Sequence, residues 1–225
     1  MVNKRMQKFN KDMSWKRRFI ILAALNGLVI LFLAIYLYSP IPKTELELSS
    51  DRYKVENSSQ FIVRTTKQNL NNLVNAYLDK LLADTNHQYS INLEDDVQLF
   101  GELPLFSTTV PLLINLEPIV QENGDLVLKQ KSISVGQLQL PNKKIMQYVS
   151  KYLPVPDWVV INPREEEIYV KITEMEIKSN FKVEVEQFDL EANNIAFKIN
   201  VPYKTLGIDV SKETGMQIEE KDDKK

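Results

Sequence analysis

The chain has 225 residues, and its net charge of −2 hides an asymmetry. Residues 1–18 hold seven basic residues against Asp12, a local +6, which leaves −8 on the remainder; an acidic body of that kind excludes nucleic acid, whose phosphates demand a basic surface. There is no cysteine, which excludes disulfides, thiol catalysis, Cys-based metal sites and a lipidated Cys, and fits a Gram-positive envelope.

Phe19 to Tyr38 is an uncharged run of twenty residues. At about 1.5 Å per residue it spans roughly the 30 Å of a hydrocarbon core. Tyr36 and Tyr38 close its far end, and Lys16-Arg17-Arg18 stops at the near end. Basic flanks stay inside, so the N-terminus is expected in the cytoplasm and residues 39–225 outside, with the span as a single-pass signal-anchor in the cell membrane. A cleaved signal peptide would have a shorter apolar stretch and small residues at its end; this run ends Tyr-Leu-Tyr-Ser-Pro.

Ser39-Pro40-Ile41-Pro42 is a stiff exit, and residues 39–59 read as a linker. The body is placed at 60–205. Phe61-Ile62-Val63 predicts a short strand, and Thr66 caps a helix running to about Ala83. Leu70, Leu73, Val74, Tyr77, Leu78, Leu81 and Leu82 form its apolar stripe. From His87 the period becomes two, through Tyr89-Ile91-Leu93, Val97-Leu99 and Val110-Leu112-Ile114-Leu116. Asn123-Gly124 marks a tight hairpin turn. Leu126 and Leu128 return, and an irregularity precedes Ile133 and Val135. Pro141 opens a second helix to about Leu153, with Ile145, Val149 and Tyr152 on one face. Leu153 to Pro163 reads as a proline-stiffened crossover around Trp158, which either plugs the core edge or forms a lip facing a membrane or partner. Ile168-Val170-Ile172, Phe181-Val183-Val185 and Ile195-Phe197-Ile199-Val201 predict three further strands. Residues 206–225 are charged and apolar-poor, the composition of a disordered tail. The pattern predicts an α+β fold: a transmembrane helix followed by a long, curved, mostly antiparallel sheet packed on two amphipathic helices.

Chemistry is sparse. His87 is the one histidine, and a lone His at a strand start is ordinarily a surface residue. GxSxG, HExxH and a phosphate-cradling Gly loop do not occur. Glu94-Asp95-Asp96 and Glu165-Glu166-Glu167 fall at turns between strands, where carboxylates are usually solvated. The expectation is therefore no enzyme, no cofactor and no metal site.

Several segments carry a resemblance: Thr66-Lys67-Gln68-Asn69-Leu70, Leu99-Phe100-Gly101, Glu122 to Leu126, Ser134 to Pro141, Leu153 to Pro163 and Glu166 to Val170. Over most of residues 60–202 the chain resembles the YpmS family of small, N-terminally anchored Gram-positive envelope proteins. That family offers no catalytic residues to carry over. In the order of its elements the chain is also similar to lipid-binding domains of the TULIP type, in which a long curved sheet wraps a helix and leaves an apolar groove. The reading is a binding protein for lipid or another apolar envelope molecule, lined by Leu73, Tyr77, Leu81, Ile145, Val149, Tyr152 and Trp158. The alternative is a non-catalytic protein that positions or regulates an envelope enzyme.

Overall fold

The computed structural model describes residues 15–38, 58–85, 88–105, 108–177 and 180–207. Residues 39–57 and 208–225, with most of the predicted linker and most of the tail, lie outside the described residues, as does His87; the last two linker residues, Ser58 and Ser59, open a strand. The chain divides into two units, Met1–Pro42 and Lys43–Lys225.

The first unit is built on one helix, α1 (Trp15–Tyr38). From Phe19 onward it is apolar all round rather than striped, and its Arg17–Leu37 stretch is long and apolar enough to cross a membrane. Asn26, the one amide inside the run, donates from Nδ2 to Leu22 O at 2.9 Å. Its polar group is thereby partnered within its own helix, as an apolar medium demands.

The second unit is α+β. A three-stranded antiparallel sheet pairs β1 (Ser58–Thr65), β9 (Asn194–Pro202) and β8 (Lys182–Asp189) in the order β1-β9-β8. Six further strands form a curled antiparallel sheet: β2 (Tyr89–Leu93), β3 (Val97–Leu105), β4 (Thr108–Val120), β5 (Leu126–Val135), β6 (Val159–Asn162) and β7 (Glu167–Val170). Its order is β2-β3-β4-β5-β7-β6. The predicted single sheet is thus two, and they join at the β4–β5 turn. There Val185 N of β8 donates to Gly124 O at 2.7 Å. Gly124 has φ +88°, and an added Cβ would lie 2.6 Å from the Cβ of Glu184; both the turn and the approach of β8 require glycine.

The irregularity foreseen before Ile133 is a β-bulge. Asn115 pairs Ser132 and Leu116 pairs Gln130, which leaves Lys131 as the extra residue. Lys131 Nζ then reaches Asp96 Oδ1 at 2.9 Å, a hydrogen bond that raises the lysine's pKa. Two strand expectations are corrected. Val159–Asn162 of the presumed crossover is a strand, β6, because its prolines flank rather than interrupt it. Ile172 leaves its strand for a 3₁₀ turn at Ile172–Glu174.

The helices α2 (Lys67–Leu82) and α3 (Asn142–Tyr152) begin where their caps predict. Thr66 Oγ1 accepts from Asn69 N at 3.3 Å, and Pro141 precedes the first turn of α3. Alternation along β4 buries Leu112, Ile114 and Leu116 against Met146, Val149 and Ile145 of α3, and Val135 and Ile195 complete the centre of the core.

One close approach ties β2 to β3. An added Cβ on Gly101 of β3 would lie 2.3 Å from the ring of buried Tyr89, its partner on β2. Gly101→Ala is expected to cost about 2 kcal/mol through overpacking, measurable as a lower denaturant midpoint with an unchanged slope.

Candidate functional site

The stripe on α2 is about half a turn wide, and the structure decides which half is packed. With about 100° per residue, Leu73 and Tyr77 lie roughly 60° and 20° to one side of Leu70. Asn71 and Asn75 lie roughly 100° and 140° to the other side. The helix is rolled toward the asparagines. Asn75 Nδ2 donates to Ile91 O at 2.7 Å, and Ile91 N donates to Asn75 Oδ1 at 2.9 Å. Leu93 N donates to Asn71 Oδ1 at 3.3 Å. Four helical residues rise about 6 Å, close to the roughly 6.8 Å between alternate strand residues. Two amides one helical turn apart therefore continue the ladder at the outer edge of β2.

That roll has a cost on the opposite flank. Leu73 is 67% exposed and Tyr77 41%, although both belong to the stripe. Tyr77 does not stand alone: its ring centroid is 5.9 Å from that of half-buried Trp158, tilted by 50°. Trp158 directly precedes β6, the last strand of the six, whereas α2 is bonded to β2, the first. The curl of the sheet therefore brings its two edges together at this pair. α3 packs on β6 as well. Its Tyr148 and Tyr152 rings are 4.5 Å apart, and Lys151 Nζ is 5.2 Å from the Tyr152 centroid.

The seven expected lining residues thus separate. Ile145 and Val149 are buried in the core, and Leu81 is half-buried on α2. Tyr77 and Trp158 meet, Leu73 lies one turn before Tyr77, and Tyr152 is 46% exposed at the end of α3. Tyr89 and Tyr148 lie at the apolar period of their elements, so the sequence carries no separate signal for them. Burial pushes the Tyr89 phenol up, and nearby Tyr148 adds to the shift. Burial likewise raises Tyr148, with Tyr152 adding to it. A raised phenol stays protonated at neutral pH, so these two tyrosines present uncharged rings and hydroxyls.

The acidic turns are engaged elsewhere. Asp96 holds Lys131, Lys67 Nζ donates to Glu94 O at 3.0 Å and lies 4.0 Å from Asp95. Glu167 accepts from the Tyr169 hydroxyl at 2.9 Å; Tyr169 is pushed up to about 12, mainly by burial and then by that bond. Among the described residues no three His, Cys, Asp or Glu side chains converge on a common point.

The chain is thus an α+β domain that follows a hydrophobic helix, with aromatic side chains clustered between α2 and β6. The chain belongs to the family described as "Uncharacterized protein conserved in bacteria (DUF2140)", which matches residues 13–201. It is 29% identical over 188 residues to the protein of Bacillus subtilis (strain 168) described as "Uncharacterized protein YpmS", covering 84% of this chain and 97% of that one. No solved structure matches.

Proposed function

We propose that this chain is an anchored, extracytoplasmic binding protein of the bacterial envelope that holds part of an acyl chain on its α2–β6 seam. The reading takes α1 as an uncleaved span with Lys16-Arg17-Arg18 on the cytoplasmic side, and it involves no catalytic step, cofactor or metal. One observation carries it: Leu73 and Tyr77 stay exposed beside Trp158 while the other apolar residues of the α2 stripe are half-buried or buried. Leaving a large apolar side chain in water forgoes about 1.5–3 kcal/mol, and a lipid offers the complementary surface. Each methylene withdrawn from a bilayer costs about 0.8 kcal/mol, so a shallow seam suits a few methylenes still rooted in the membrane rather than a whole extracted chain. Ile145 and Val149 would have to move for deeper entry.

The test uses full-length protein in vesicles containing a phospholipid with a photoreactive group on its acyl chain. Adducts are expected on peptides carrying Leu73–Tyr77 and Trp158. Leu73→Ser with Tyr77→Ser should cut them by on the order of ten-fold, the loss of about 1.4 kcal/mol or more of apolar contact, with the thermal midpoint falling only by what the Tyr77–Trp158 ring contact contributes, about 1 kcal/mol. Adducts spread evenly over the domain, or unaffected by the double change, would overturn the reading. Recovery of one defined envelope enzyme by protein crosslinking at the same residues, without lipid adducts, would favour the positioning role.

A further inference from the structure

The two sheets have four outer edges, and three of them are covered or blunted. Asn71 and Asn75 of α2 continue the ladder of β2. The edge strand β6 is four residues long and is stopped by Pro163 directly after it. The edge strand β8 carries a register break between Val185 and Gln187 and donates Val185 N to Gly124 O. The fourth edge is β1, whose one strand neighbour among the described residues is β9. It is eight residues long, Ser58-Ser59-Gln60-Phe61-Ile62-Val63-Arg64-Thr65, with one charge and no proline. Phe61, Ile62 and Val63 are 52%, 59% and 44% exposed, so apolar side chains stand free on both of its faces. Natural proteins guard such edges with lysine, proline or a bulge, because the outward N–H and C=O groups template another strand.

We infer that this edge pairs with β1 of a second copy of the same chain, joining two three-stranded sheets into one of six about a two-fold axis. Three features select the second copy. In antiparallel pairing the partners must both present, or both withhold, their outward backbone groups. A symmetric register therefore centres on a residue, and the one centred on Ile62 sets Phe61 opposite Val63 of the second copy. In that register Gln60 faces Arg64 and Ser59 faces Thr65, so every apolar residue meets an apolar one and the two arginines are kept apart. Phe61 and Val63 also extend a row already made by Ile199 and Val183 and by Phe197 and Val185 on the neighbouring strands. On the other face the lysine beside Ile62 is neutralised, Lys198 Nζ lying 2.8 Å from Glu186 and 3.8 Å from Glu184. Finally, copies carried on one hydrophobic helix share a membrane, which raises their local concentration without any added contact.

The chain has no native cysteine, so a single introduced thiol reports position without background. Full-length Ile62→Cys in membranes, treated with a short bis-maleimide, is expected to give on the order of ten-fold more dimer than Leu138→Cys, an exposed site away from β1. Co-expressed Phe61→Cys and Val63→Cys chains should crosslink better than either alone, since opposed Cβ atoms lie about 5 Å apart and diagonal ones about 7–8 Å. Adding Ile62→Lys to that pair places two ammonium groups opposite each other and should abolish the band while leaving the thermal midpoint in place. Equal yields at positions 62 and 138, no band at position 62, a band surviving Ile62→Lys, or a product joined to a different protein would each overturn the self-pairing. None of these outcomes bears on lipid at the α2–β6 seam.

Discussion

Asp125→Ala is expected to lower the stability of the second unit by about 4 kcal/mol, or roughly 10 °C in thermal midpoint. Asp125 closes the β4–β5 turn and is 5% exposed. Its Oδ1 accepts from Thr173 N at 3.0 Å and from Thr173 Oγ1 at 2.8 Å, and its Oδ2 accepts from Asn123 Nδ2 at 2.8 Å. Three donors therefore converge on one buried carboxylate, and they fasten the Ile172–Glu174 turn to the hairpin. Alanine removes the acceptor but leaves the donors buried, and an orphaned buried donor costs about 1–3 kcal/mol. Asp125→Asn should cost about half as much, because an amide oxygen still serves Thr173 while its NH₂ faces the amide of Asn123. A double-mutant cycle with Thr173→Val separates this network from simple loss of the turn; additive effects would show that the two residues act independently.

Asn75→Leu is the second large effect, at about 3 kcal/mol. Leucine keeps the branching and heavy-atom count of asparagine and improves helix propensity, so a helix held only by its stripe would tolerate the change. The expected loss arises at the sheet edge, where Ile91 would forfeit the partners of both its N–H and its C=O. Hydrogen exchange provides the specific readout: the Ile91 amide should lose protection, while amides in the centre of β4 should weaken only as far as global stability falls. Unchanged protection at Ile91 would show that the ladder continuation contributes nothing.

These two positions also explain how far the sequence could be read. Local chemistry announced itself: the Thr66 cap, Pro141 before α3, the Asn-Gly turn and the break before Ile133 each rest on a few adjacent residues. The α+β class with a hydrophobic leading helix followed from period and length. The roll of α2 did not, because a stripe half a turn wide fits several rotations, and the selector is a pair of polar residues bonded to a strand elsewhere in the sequence. Hence Leu73 and Tyr77, grouped with Ile145 and Val149 as one lining, lie outside while those two lie within. The pairing of β1 with β9, and with it the division into two sheets, depends on contacts across the whole body that no local window contains. Asn123 and Asp125 were legible as turn residues, but the grip on Thr173 was not.

That pairing sets a timetable for folding. Thr65 meets Ile195 and Ser58 meets Pro202, so the first strand of the body waits for the last. In a chain made N-terminus first at about 5–20 residues per second, the wait is roughly 7–30 s. Through that interval Phe61-Ile62-Val63 has neither β9 beside it nor a finished core beneath it. Such a strand is a point of vulnerability during synthesis, when another nascent copy or a neighbouring unfolded chain can reach it first. Faster delivery of β9, or a chaperone that covers β1 until β9 arrives, would protect folding yield without altering the stability of the finished protein.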